Sequence, residues 1–478
     1  MPGSSLALLR PTVPKEGDQL TFRFATDAPH AKNWVGVYDG ARQPGDGSSL
    51  AWKYVTTAEG EVTIETQGLT DGPYTAYLLA KDGYAILART APFSFAVRPV
   101  PPRPRFAVDT VTTSAVAPGE SATVRLGGLW TTSTGQQSGQ GVTFRSRGGD
   151  GWLTLGADGT VTAKAPRGGS RRPGVLTVEG RDGATGATSQ LTAQVPVRRN
   201  ARSVTLKVAC LDAWDAGKHV DGAVSKLLRL ALTRDLDVPA LQDTGGTLGK
   251  SVADALGWAV HEDVSGLALI SRHALTDPRP ATAELPAVAA TVRVPGVRAV
   301  RVWTACLDEG DYGPIGIRQG RTPGQAEAAE RASLRHRQAQ ALVAAMAPDL
   351  GAARDTPVLL AGALASPSHL DWTARTAGAH GTSGPVRWPV TQLLEHARLT
   401  DVFRDRHRDP AREPGNTWSP VDPTQPQDRI DALHSAGPLS VEEAHTLVTG
   451  WPKPIPGTAG NGWPSDHAAA VATFTLRA

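Results

Sequence analysis

Cysteine is nearly absent from this sequence: two residues, Cys210 and Cys306, in 478. That excludes a disulfide-dense scaffold and any zinc site built from four thiolates. Net charge is equally scarce, since 49 basic side chains stand against 46 acidic ones for a formal balance of +3. A protein that coats nucleic acid rests its affinity on concentrated Lys and Arg, so nucleic acid is not indicated by charge. Arginine outnumbers lysine 39 to 10, which points to GC-rich coding more than to a phosphate-binding surface. No apolar run approaches the ~18 residues of a membrane span, and no span is expected. Residues 1–14 carry only a short apolar patch at 6–9, too little for the apolar region of a secretory signal. Placement in the cell stays open, between a protein kept inside and one placed outside after its signal was trimmed.

What the sequence does hold is 40% hydrophobic residues, enough to build cores. Its length suits about three domains at ~150 residues each. Residues 1–97 read as a β-sandwich module. Short β-rich runs at 21–25, 34–38, 62–66 and 94–97 are separated by Gly, Pro, Asn and Asp clusters, as in a sandwich with regularly spaced turns. Residues 98–105 (RPVPPRPR) form a Pro-rich linker, expected to be extended and semi-rigid. Residues 106–199 read as a second β-sandwich, with runs at 122–126, 152–155, 159–163, 175–178 and 191–197. The stretch LGADGTVTA (155–163) resembles the turn and strand of bacterial immunoglobulin-like modules. Neither segment gathers His, Cys or carboxylate residues. Both are expected to be spacers, or modules that contact a carbohydrate, a protein or a surface partner.

From residue 204 the pattern changes. Strands expected at 204–211, 238–242, 267–270, 299–305, 357–361 and 469–476 alternate with helical stretches near 222–234 and 253–256. A long helix is expected over 325–346, where Ala339, Leu342, Val343 and Met346 are spaced for one apolar face. Such alternation predicts a layered α/β domain over 202–478, with ligand sites beyond the carboxyl ends of its strands. The residues at those exits are Asp212, Asp243, Cys306, Ala363, Asp431 and the pair Asp466 and His467. Acidic groups and a His converging on one rim suit a hard divalent cation with oxygen ligands. The chemistry they suggest is metal-assisted attack of water on a phosphoester. Singly, an Asp that ends a strand reads as well as a turn former or helix cap.

Seven segments come in order: VACLDAWDAG (208–217), DVPALQDT (237–244), LALISRHAL (267–275), WTACLDEGDYGP (303–314), PVLLAGALASPSHLDWT (357–373), PQDRIDALH (426–434) and PSDHAAAVATF (464–474). This set resembles the endonuclease/exonuclease/phosphatase family over about residues 202–478. The resemblance implies a four-layer α/β sandwich of the endonuclease/exonuclease/phosphatase type for that segment, so the chain as a whole is expected to be multidomain, with the two all-β sandwich modules preceding it. It implies a catalytic, phosphate-contacting His467 supported by Asp431, metal ligands at Asp212, Asp243 and Asp466, and Mg or Mn as the cation. It also exposes departures. The family places an Asn where Asp212 stands, a Glu at Asp243 and a His at Cys306, while its Gly-Asp-x-Asn motif reads Gly-Ala-Leu-Ala at 362–365.

Each departure has a chemical consequence. Asp243 is one methylene shorter than Glu, withdrawing its carboxylate by roughly 1.5 Å, whereas Mg²⁺ demands near-octahedral oxygens at about 2.0–2.1 Å. The metal site is therefore expected to be weakened. A thiol at Cys306 is a weak donor. Ala363 cannot orient the attacking water and Ala365 cannot hold the phosphate. The function expected is that of a phosphoester-hydrolase-like protein, catalytically silent or strongly impaired, still binding a divalent cation or a phosphoester. Two alternatives stand beside it: a Mg/Mn-dependent phosphodiesterase or phosphatase with a modified site, and a binding or adhesion protein acting through its β modules.

Two smaller features offer other readings. TGGTLGKS (244–251) nearly spells the phosphate loop G-x-x-x-x-G-K-[ST], with Thr244 at the first glycine. The two cysteines are expected as thiols rather than a disulfide, and Cys306 would become reactive if His467 lay near enough to lower its pKa.

Overall fold

The structure, a computed structural model, describes residues 4–10, 19–39, 43–45, 48–66, 69, 73–93, 95, 104–132, 137–198, 203–450 and 452–477. Most of the 98–105 linker and of the strand expected at 94–97 lies outside the described residues. The chain is β-rich, with several separate sheets and few helices. It divides into two compact units: Met1–Val100 with Leu447–Lys453 and Asn461–Trp463, and Pro101–Thr446 with Pro454–Gly460 and Pro464–Ala478. None of the helices among the described residues is long and apolar enough to cross a membrane.

The first unit holds strands β1 (Ser5–Arg10), β2 (Leu20–Ala25), β3 (Asn33–Asp39), β4 (Ala51–Val55), β5 (Glu59–Ile64), β6 (Tyr74–Leu79) and β7 (Ile86–Arg89). They form two antiparallel sheets, β1-β2-β5 and β4-β3-β6-β7. Side chains alternate across a strand, so Phe22 and Phe24 of β2 meet Val35 and Val37 of β3 and Ala76 and Leu78 of β6 in one core. Trp34, Tyr38, Tyr77 and Leu79, one residue out of phase, gather on the other face.

The second unit opens with β8 (Arg105–Phe106), β9 (Thr110–Thr112), β10 (Ser121–Arg125), β11 (Trp130–Thr131), β12 (Val142–Gly149), β13 (Leu153–Leu155), β14 (Thr160–Lys164), β15 (Gly174–Asp182) and β16 (Thr188–Val195). Their main sheets are β12-β15-β16-β9 and β10-β14-β13. Then come β17 (Ser203–Asp212), the single turn α1 (Trp214–Gly217), α2 (Ala223–Thr233), β18 (Val238–Gln242), α3 (Leu248–Leu256), β19 (Ala259–Asp263), β20 (Leu267–Ser271), β21 (Ala274–Arg279), β22 (Ala287–Arg293) and β23 (Val300–Cys306). The remainder is α4 (Gly313–Arg318), α5 (Pro323–Ala332), α6 (Leu334–Gly351), β24 (Val358–Ala363), α7 (Pro389–His396), β25 (Thr400–Asp401), α8 (Val402–Arg406), β26 (Asp431–Ala436), β27 (Ser440–Leu447) and β28 (Ala469–Arg477).

Two six-stranded sheets result, β19-β20-β18-β17-β28-β27 and β21-β22-β23-β24-β26-β25. They share one core, where Leu206, Val208 and Phe474 from the first face Val288, Val302 and Leu359 from the second. The alternate residues of the second sheet, Ala289, Trp303 and Leu360 among them, are buried with Leu342 and Met346 of α6 and Leu394 of α7. Burial on both faces explains why VLLAGA in β24 is apolar throughout.

Two expectations need correction, and one strand is absent from the sequence reading. The helix expected at 325–346 is two helices, because Ser333 adopts an extended conformation and its Oγ accepts the His336 N–H at 3.2 Å. Ser is favoured at such an N-cap, where it stops one helix and starts the next. The helix expected at 253–256 begins earlier, at Leu248. Strand β22 was not anticipated, because its AVAATVR is poor in large β-formers; it is made a strand by pairing with β21 and β23 on both edges.

The turn before β11 lies directly on α3. A Cβ added to Gly128 would stand 2.3 Å from Ala255 O and 2.8 Å from Ala255 Cα. Because the obstacle is helix backbone, it cannot swing aside. Gly128→Val is therefore expected to cost ~1–3 kcal/mol through overpacking, seen as a lower thermal midpoint. Gly127→Ala is the control, since its Cβ would meet nothing nearer than 3.7 Å; equal losses from both would refute a tight joint.

Candidate functional site

Topology alone gathers the predicted residues. Parallel β17 and β18 end in register at Asp212 and Gln242. Parallel β23 and β24 end in register at Cys306 and Ala363. Strand β26 runs the other way, so it starts at this rim, with Asp431 opposite Ala363. Strand β28 also runs antiparallel, to β17, and the residues just before it are Asp466 and His467.

Asp431 is fully buried and its Oδ2 lies 2.7 Å from His467 Nδ1. Thr417 Oγ1 accepts the backbone N–H groups of Ile430 and Asp431, both at 3.0 Å. The His467 N–H donates to Ser465 Oγ at 2.9 Å. With Nδ1 held by Asp431, the other ring nitrogen, Nε2, stands 3.9 Å from Asp466 Oδ1. Burial opposes a charge on His467, but Asp431 foremost, then Asp212 and Asp466, push its pKa up to about 10. The ring is consequently an imidazolium at neutral pH.

Asp212 answers in the opposite sense. Burial pushes its carboxyl up to about 7, against the pull of His467 and of the Trp214 N–H that it accepts at 2.8 Å. Burial raises Asp466 as well. Oδ1 of Asp466 and Oδ1 of Asp431 are both buried without a hydrogen-bond partner. One ligand-type atom from each of Asp212, Asp466 and His467 lies within 4.8 Å of the others; both nitrogens of the imidazolium carry protons, so the ligands of this group are the two carboxylates. Two carboxylates reluctant to ionise, one with an orphaned oxygen, fit a divalent cation with oxygen ligands.

Asp243 is not brought into that group. Its backbone is left-handed at φ 52, and its carboxylate accepts the Asp215 N–H. Its carbonyl accepts the Ala216 N–H at 2.8 Å. The turn it holds is unusual, with Trp214, Asp215 and Ala216 at φ 49, 51 and 57 in succession. Left-handed backbone costs an L-residue roughly 1–2 kcal/mol, and Asp243 offsets that cost by satisfying the turn's N–H groups.

Ala363 and Ala365 are buried at the rim and bring no polar atom. Cys306 and Cys210 are free thiols. Burial first, then the charges of Asp212, Asp243 and Asp431, push the Cys306 thiol well above its usual range. This corrects the reactive-thiol reading, because burial, reinforced by the neighbouring carboxylates, disfavours the thiolate. The phosphate-loop reading is also corrected. The Gly249 and Lys250 N–H groups at the start of α3 donate to the Glu262 carboxylate at 3.0 and 2.6 Å, and Lys250 Nζ bonds Asp254 at 2.8 Å. An anion already fills that helix terminus.

Sequence reasoning missed what lies beneath the rim. Arg429, fully buried, donates to both Asp371 (3.0 and 3.1 Å) and Asp401 (2.7 and 3.1 Å), while Arg404 also pairs with Asp371. Asp428 accepts from Tyr312 Oη at 2.8 Å and Trp372 Nε1 at 2.9 Å. Trp418 packs edge-on against Tyr312, with ring centres 5.3 Å apart, and lies 6.3 Å from the His467 ring. The available signal was charge inside otherwise scaffold-like segments, HLDWT and DRID.

No protein-family model matches the chain. An uncharacterised protein of Caenorhabditis elegans is 29% identical over 290 residues, covering 57% of this chain and 91% of its own length. Among solved structures, a conserved protein of unknown function from Enterococcus faecalis V583 shares 13% identity at a TM-score of 0.37, covering 56% of this chain and 99% of its own. An endonuclease/exonuclease/phosphatase family protein from Bacteroides thetaiotaomicron shares 11% at a TM-score of 0.35, covering 58% of this chain and 100% of its own.

Proposed function

We propose that residues 202–478 are a four-layer α/β sandwich of the endonuclease/exonuclease/phosphatase type that binds a divalent cation and a phosphoester without appreciable turnover. Residues 1–97 and 106–199 are, in this reading, its β-sandwich and immunoglobulin-like modules. The observation that carries the proposal is the juxtaposition at one rim of Asp212, Asp466 and His467 within 4.8 Å. The two strand ends beside them offer only Cys306 and Ala363.

A bound Mg²⁺ or Mn²⁺ would supply positive charge to draw in a phosphoester oxygen. Asp212 and Asp466 would hold it, and the imidazolium of His467 would pair with the phosphate. His467 stays oriented because Asp431 fixes Nδ1. Turnover fails for want of a base at Ala363 to take a proton from water, and of a donor at Ala365 to hold the phosphate. Losing one general acid or base typically costs ~10²–10⁴ in rate.

Calorimetric titration with Mn²⁺ tests the reading through its pH dependence. Asp212 is raised to about 7 from an unfolded value of ~3.9, so the fold favours its protonated form. Ionising it weakens the metal-free protein as pH rises through 7, and a cation reverses that loss. His467 runs the other way: its contribution is complete below its unfolded value of ~6.5 and is lost as pH rises through about 10. Mn²⁺ affinity is therefore expected to grow by about tenfold per pH unit below 7 and to level off above it. The Asp466→Ala/His467→Ala double variant is expected to bind nothing. Absence of binding at every pH would overturn the proposal. Hydrolysis of bis-p-nitrophenyl phosphate that vanishes in the double variant would favour an active phosphodiesterase instead.

A further inference from the structure

The outer face of the first β module carries an aromatic surface that the rim chemistry does not use. Trp52 and Tyr54 lie two apart on β4 and so share a face. Tyr54 is the register partner of Trp34 on β3, and Tyr84 lies in the turn joining β6 to β7. Because the strand order is β4-β3-β6-β7, Trp52 and Tyr84 flank Trp34 from opposite sides. Both meet it edge-on, with ring centres 6.1 Å apart and planes at 79° and 70°. Trp52 and Tyr54 meet at 5.1 Å and 83°.

The floor of this surface is fixed. Trp34 is 8% exposed, its Nε1 donates to Gly83 O at 3.2 Å, and a Cβ on Gly36 would strike its ring at 2.6 Å. The walls are open, with Trp52 53%, Tyr84 52% and Tyr54 46% exposed. At one edge Tyr54 Oη donates to Asp82 Oδ1 at 2.7 Å, and Lys32 Nζ lies 2.6 Å from Asp82 Oδ2.

We infer that this face is a carbohydrate-binding platform for a neutral pyranose polysaccharide. Aromatic faces are electron-rich and attract the weakly positive C–H groups that line a sugar ring. Edge-to-face contacts hold the rings in place beforehand, which lowers the ordering cost of binding. The Asp82 and Lys32 pair supplies an acceptor beside a donor, as neighbouring hydroxyls require, and carries no net charge. That balance disfavours an anionic membrane, which calls for surplus cations. Area argues against a protein partner. Three half-exposed rings amount to roughly 300 Å², and adding the half-exposed Leu50 and Ile86 still falls short of the ~800 Å² per partner of a stable complex.

The full chain should be tested by co-sedimentation with insoluble cellulose and chitin, and by electrophoresis through gels containing xylan, starch or mixed-linkage β-glucan. Retention on at least one of these is the expected result. Trp52→Ala and Tyr84→Ala should each weaken it by at least ~tenfold, whereas Trp52→Phe should keep most of it. Both side chains are half exposed, so unchanged circular dichroism is expected to accompany the loss. The inference is overturned by no retention on any of the five polysaccharides, by equal retention of Trp52→Ala, or by sedimentation only with phosphatidylserine vesicles. His467→Ala should leave retention unchanged, which separates this site from the rim.

Discussion

Installing Cys306→His, Ala363→Asp and Ala365→Asn together is expected to raise Mn²⁺-dependent hydrolysis of bis-p-nitrophenyl phosphate from background by ~10²–10⁴. The scaffold for this gain is in place. Cys306, Ala363 and Asp431 are register partners on three adjacent strands, so new side chains at the first two would enter the rim beside the Asp431–His467 pair. Ala365 already sits at φ 48, a left-handed conformation in which Asn is several-fold enriched; the third substitution should relieve strain. The second adds a carboxylate where burial already raises Asp212 and Asp466, so the metal-free triple variant should melt lower and recover with Mn²⁺. Adding His467→Ala should return the rate to background. A triple variant that folds, binds Mn²⁺ and still turns nothing over would show that the rim is not a lapsed hydrolase site.

Arg429→Met should be the most damaging single change for stability. Removing one partner from a buried ion pair typically costs ~3–5 kcal/mol, because an uncompensated charge stays behind. At somewhat under the ~2–4 °C per kcal/mol of a smaller domain, because the unit is larger, the thermal midpoint should fall by on the order of 5–10 °C. Arg429 serves two carboxylates at once; without it, the hydrogen bonds left to the Asp401 carboxylate among the described residues are from Ser368 Oγ at 3.2 Å and the Arg404 N–H at 3.1 Å. Although burial opposes its ionisation, Arg429 holds Asp401 well below the usual carboxylate range. Its stabilisation is therefore present above the unfolded value of ~3.9 and disappears as pH falls through the folded one. The gap between wild type and variant should be widest near neutrality and narrow toward acid. A pH-independent gap, or a shift within a degree or two, would remove the network from this role. Arg429→Lys should also fail, since an ammonium cannot present the guanidinium's fork to two carboxylates. The damage should reach the rim, because Arg429 lies two residues before Asp431.

Much of the layout was legible beforehand. Strands buried on both faces, such as Val238–Gln242 and Val358–Ala363, announce themselves as short apolar runs. Of the rim residues, Asp212 was legible as a polar group at a strand exit, where α/β sheets place ligands; Asp431 begins antiparallel β26, and Asp466 and His467 precede antiparallel β28, so these three were singled out by the resemblance of their segments. Less legible were β22, whose alanines become a strand only between two neighbours, and the break at Ser333, where one cap outweighs a continuous helical period.

What the sequence determined by itself about this protein is the stock of chemical groups: no carboxylate at Ala363, no amide at Ala365, no imidazole at Cys306, two thiols and almost no net charge. Such limits need no fold, because an absent atom cannot be supplied by packing. Only the tertiary structure decided what the groups present are committed to. It gives the Asp243 carboxylate to a backbone N–H of the Asp215 turn and the start of α3 to Glu262. It surrounds Cys306 with carboxylates and leaves Trp52 and Tyr84 open beside a buried Trp34. Each outcome turns on desolvation and on hydrogen-bond partners from elsewhere in the chain, and these exist only once the sheets have brought distant residues together.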